Sequence, residues 1–141
     1  MFSQDRVQLR TFYRSSFEAL KNGLPLEPLQ ALVAQVVVEH PEYQLALENA
    51  DSAHKDFQVA TGESNPFLHM GMHVALREQM MADRPAGISV LYRTLCLKAG
   101  DPHAAEHMMM ECLGEAMWRA QSNNTAPDEE AFLACVRRLL A

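Results

Sequence analysis

Apolar positions along this chain recur at intervals of three and four, the period of an α-helix, and no segment alternates strictly for long enough to suggest a sheet. Leu9, Phe12, Tyr13, Phe17 and Leu20 make one stripe, and Gly23 stands where a C-terminal glycine cap belongs, so residues 3–22 read as the first helix. Leu29, Leu32, Val33, Val36 and Val37 continue the period from about Pro28 until Pro41 stops it. The run "VAQVVVEH" is β-branched, but its i, i+3, i+4 spacing favours helix. A short helix is expected over residues 41–48 and a long loop over 49–64. Asn65-Pro66 and Asp101-Pro102 are cap-plus-proline starts for two further helices, reaching about residues 82 and 121. Between them Ile88, Leu91, Tyr92 and Leu95 mark a helix closed by Gly100, and Phe132, Cys135, Val136 and Leu139 mark the last one. Short connections make antiparallel neighbours, so the expectation is all-α: one domain over residues 1–141, an up-and-down helical bundle of five to six helices.

Composition narrows the function classes. The net charge is −6 and no Lys/Arg cluster is present to neutralise phosphates, which argues against nucleic acid as a partner. No apolar run approaches the ~20 residues that span a bilayer, so no membrane partner is expected. The stretch "MFSQDRVQLR" lacks the apolar core of a signal peptide and reads as cytoplasmic. The three cysteines are far apart without a C-x-x-C motif, so they are expected to be small buried apolar residues rather than a disulfide or a thiolate zinc site.

The histidines change the picture most. His69 and His73 share a face of one helix with Leu76 and Met80. His103 and His107 share a face of another with Met110, Glu111, Gly114 and Trp118, which is expected to be buried with Trp118 packing inside. At 1.5 Å per residue, His69 and His73 stand about 6 and 12 Å above one helix start, and His103, His107 and Glu111 about 3, 9 and 15 Å above the other. In an up-and-down arrangement these starts are level, and His40 reaches the same end, so five of the six histidines would converge there. His-x-x-x-His stacks two imidazoles on adjacent turns, where both can reach one ion. His69, His73, His107 and Glu111 are therefore the candidate metal ligands, for a divalent transition metal such as zinc, iron, nickel or manganese. His40 and His103 stand close by, outside that assigned set. An ordinary hydrogen-bonded histidine cluster is the competing account.

The blocks "HPEY", "NPFLHMGMH", "REQ" and "MECLGEAMW", with the "GLPLEPLQ" turn, resemble domain-of-unknown-function family 1841 across essentially the whole chain. The resemblance implies a short bacterial protein with no assigned activity and no catalytic residue to carry over. Two functions from different classes follow from the residues themselves. One is a metal-binding bundle, with scope for a metal-dependent enzyme acting on a small molecule. The other is a non-catalytic interaction module, or homo-oligomer, that uses the methionine-rich third and fifth long helices as an adaptable surface.

Overall fold

The computed structural model describes residues 2–48 and 65–141. The loop expected over residues 49–64, with His54, lies outside the described residues. Among the described residues there is no strand. Six helices have eleven residues or more: α1 (Phe2–Lys21), α2 (Pro28–Val38), α4 (Pro66–Ala82), α5 (Ile88–Ala99), α6 (Pro102–Ser122) and α7 (Glu129–Leu139). The segment expected as one short helix is a 3-10 turn, Pro41–Tyr43, followed by α3 (Gln44–Glu48). The chain is all-α, as the periodicity predicts.

The helix ends follow local chemistry. Gly23 closes α1 at φ +68°, a conformation that costs glycine little because it has no Cβ. The Gly23 N–H bonds to Leu20 O and the Leu24 N–H to Ala19 O, so two orphaned carbonyls are satisfied. Before α2, the Gln30 side chain reaches back to the Glu27 N–H at 2.8 Å. Asn65 Oδ1 accepts from the Phe67 and Leu68 N–H groups at the start of α4. Asp101 and Asp128 accept from Ala104 and Ala131 at the starts of α6 and α7.

Two compact units share the chain, Met1–Val74 and Ala75–Ala141. In the first, α1 packs on α2. Tyr13, Phe17, Val33, Val36, Val37, Leu47, Phe67, Met70 and Val74 form its core. The expected α1 stripe is buried only at its centre, because Leu9 and Leu20 are exposed. In the second unit α5, α6 and α7 pack together around Leu76, Ile88, Leu95, Met109, Leu113, Phe132 and Val136.

Two expectations fail in this second unit. Cys112 and Cys135 are not independent apolar residues: a disulfide joins them and ties α6 to α7. Cys96 alone is a free thiol. The face of α6 expected to be buried is also displaced. Ala105, Glu106, Met109, Cys112 and Leu113 are buried, whereas His107 and Glu111 are exposed and Trp118 is 67% exposed. At about 100° per residue the buried stripe is centred roughly 160° from Glu111. Apolar area decides which face of a helix turns inward, and the Ala105–Met109–Leu113 stripe outweighs the histidines.

Candidate metal centre

His40 sits between α2 and Pro41, where the following proline disfavours a helical backbone; its φ and ψ are −125° and 66°. That break swings the ring inward, and only 1% of the residue is exposed. His40 Nδ1 lies 2.7 Å from Val36 O. A carbonyl oxygen only accepts, so Nδ1 carries the proton and Nε2 presents a lone pair. A hydrogen bond that fixes the tautomer through the other ring nitrogen is how metal-ligating histidines are usually oriented. Tyr43 stacks on the His40 ring, with centroids 5.6 Å apart and planes at 10°. Burial, then the nearby Glu42 charge, raises the Tyr43 hydroxyl above its ordinary pKa, which keeps it neutral beside the rings.

His69 and His73 come from adjacent turns of α4. His73 is fully buried and His69 half-buried. Their Nε2 atoms are 3.3 Å apart. The His40 ring centroid lies 5.1 Å from that of His69 and 4.6 Å from that of His73. Three imidazoles of the first unit thus touch one another, and His40 is part of the group although it stood outside the assigned ligand set. His40 and His73 offer ring nitrogens within 4.8 Å of each other. His40 and His73 belong to a group of histidines that could hold a metal ion.

On α6, His103 and His107 form a pair of their own, with ring centroids 4.3 Å apart and nitrogens within the same 4.8 Å. His103 is half-buried and His107 exposed. Glu111, one turn beyond, is exposed as well.

The buried carboxylate of α6 is Glu106, which is not among the ligands that the histidine spacing points to. It is 1% exposed and lies 3.0 and 3.3 Å from Arg77 Nε through its two oxygens. The Tyr92 hydroxyl donates to it at 3.0 Å. Burial first, then the Glu106 charge, holds the Tyr92 hydroxyl far above its ordinary pKa, so it remains a donor. The available signal was the Ala105–Met109–Leu113 stripe, which includes position 106 and leaves out 111.

These features define an all-helical chain with a histidine cluster suited to a borderline metal ion. The chain belongs to the family described as a domain of unknown function, DUF1841, whose model matches residues 5–138. No curated protein and no solved structure matches it.

Proposed function

We propose that the chain binds a divalent transition metal through histidine, with His40, His69 and His73 as its central donors. The observation that carries this reading is the 3.3 Å between His69 Nε2 and His73 Nε2. Two nitrogens each roughly 2.0–2.1 Å from a tetrahedral ion lie roughly 3.3–3.4 Å apart. The fixed tautomer of His40 supports it, because Nδ1 is committed to Val36 O and Nε2 keeps its lone pair. Imidazole-rich sites suit zinc, nickel and iron, and manganese where carboxylate joins. His107 and Glu111, which the sequence spacing offers as further ligands, stand on α6 in the second unit, with His103 beside His107. Three protein nitrogens leave a coordination position for water, which is what hydrolysis or proton transfer at such an ion requires.

The test is elemental analysis and zinc titration of tag-free protein purified without chelator. The expected result is one tightly held ion per chain, lost in His73→Ala. Wild-type protein that takes up no metal, or a His73→Ala variant that binds as tightly as wild type, would end the proposal.

A further inference from the structure

The disulfide between α6 and α7 lies at a groove rather than deep in the core. Cys112 is 2% exposed, whereas Cys135 is only half-buried. Both line a cavity of about 340 Å³ in the second unit, together with Phe132, Glu115, Arg119 and Arg138. Arg119 is paired with Glu115 on its own helix, Nη2 to Oε1 at 2.6 Å. That pair cancels, and Arg138 leaves the groove one positive charge. The volume lies at the lower end of the ~300–1,000 Å³ typical of small-molecule pockets. It suits a small molecule.

From the half-buried Cys135, the cavity that both cysteines line and the charge of Arg138 there, we infer that this groove is a thiol–disulfide exchange site for a small thiol bearing carboxylates. A low-molecular-weight thiolate enters with its carboxylate toward Arg138 and attacks Sγ of Cys135, the more exposed residue of the pair. A new S–S bond forms between the small thiol and Cys135, and the Cys112–Cys135 bond breaks. Cys112 leaves as a thiolate and takes a proton from water. A second small thiolate then attacks the sulfur of the bound thiol, releasing the small oxidised disulfide and the Cys135 thiolate. Two thiols have lost two electrons to one protein disulfide. The reverse sequence, starting from the small oxidised disulfide, restores the cross-link. Access and the thiolate fraction of the attacking group govern such rates, and attraction of the anion to Arg138 raises its local concentration.

Reduced glutathione is the charged probe and 2-mercaptoethanol the neutral one, compared at equal thiolate concentration with acid quenching and peptide mapping by mass spectrometry. The expected result is a mixed disulfide on Cys135, formed several-fold faster with glutathione. In Arg138→Gln that preference disappears, while the rate with the neutral thiol is unchanged. Arg138 is exposed, so the substitution leaves the fold intact. Cys112→Ser supplies an independent readout: oxidised glutathione should leave a stable adduct on Cys135, because no resolving thiol remains. Adducts confined to Cys96 or Cys112, equal wild-type rates with both thiols, or a preference that survives Arg138→Gln would each overturn the inference.

Discussion

Glu106 shows what a single buried charge does to its surroundings. Its carboxylate meets Arg77, whose side chain is 15% exposed, and the Tyr92 hydroxyl. Removing one partner of a buried pair strands the other charge, at a cost of about 3–5 kcal/mol. Losing one hydrogen bond to a charged group costs about 1.5–3 kcal/mol. Glu106→Ala should therefore lower stability clearly more than Tyr92→Phe does, as measured by urea denaturation of both variants. Equal and small effects would mean that water or another group replaces the carboxylate. The sequence carried the information for this residue only in part. A glutamate inside a helix is ordinarily a solvated residue, and what marks Glu106 is its neighbours at i−1, i+3 and i+7, all apolar and buried.

Elements were the most legible scale, because capping is local chemistry. Asn65-Pro66 and Asp101-Pro102 announce the starts of α4 and α6, and Gly23 and Gly100 close α1 and α5. The orientation of α6 was harder to read. Two histidines four residues apart suggest a face, yet the face that turns inward is set by summed apolar area. The start of α5 has a device with a measurable signature. Asp83, at φ +50°, accepts hydrogen bonds from the Gly87 and Ser89 N–H groups. Those bonds hold its carboxyl below the ordinary carboxylate pKa. A depressed folded pKa contributes stability above the unfolded value of about 3.9, and that contribution is lost as pH falls through the folded value. Asp83→Asn tolerates the left-handed backbone but lacks the charge. Its melting temperature should trail wild type by a constant margin from neutral pH down to about pH 4, and the margin should close below that. A margin that persists in strong acid would assign the effect to shape alone.

At the scale of the whole molecule, the all-helical class follows from periodicity, whereas the cross-link does not. Disulfide pairing depends on how α6 meets α7, and neither the number nor the spacing of cysteines encodes it. The imidazole cluster falls between these cases: His69 and His73 are visible as an i,i+4 pair, while His40 joins them only through the backbone break at Pro41. If the proposed ion binds the folded chain alone, zinc at 100 times its dissociation constant adds about 2.7 kcal/mol. For a chain of this size that corresponds to a rise in melting temperature of about 10 °C. Calorimetric scans with zinc and then with chelator should show the rise and its reversal, and neither in His73→Ala. A melting temperature indifferent to zinc would mean that the cluster serves packing. The disulfide acts on the other side of the folding equilibrium. It closes a loop between residues 23 apart in sequence, and so deprives the unfolded chain of conformations. In the chain-entropy account that restriction is worth roughly 3 kcal/mol. A thiol that opens the bond can therefore leave every folded contact in place and still lower the stability of the native state, by giving the disordered chain more ways to exist.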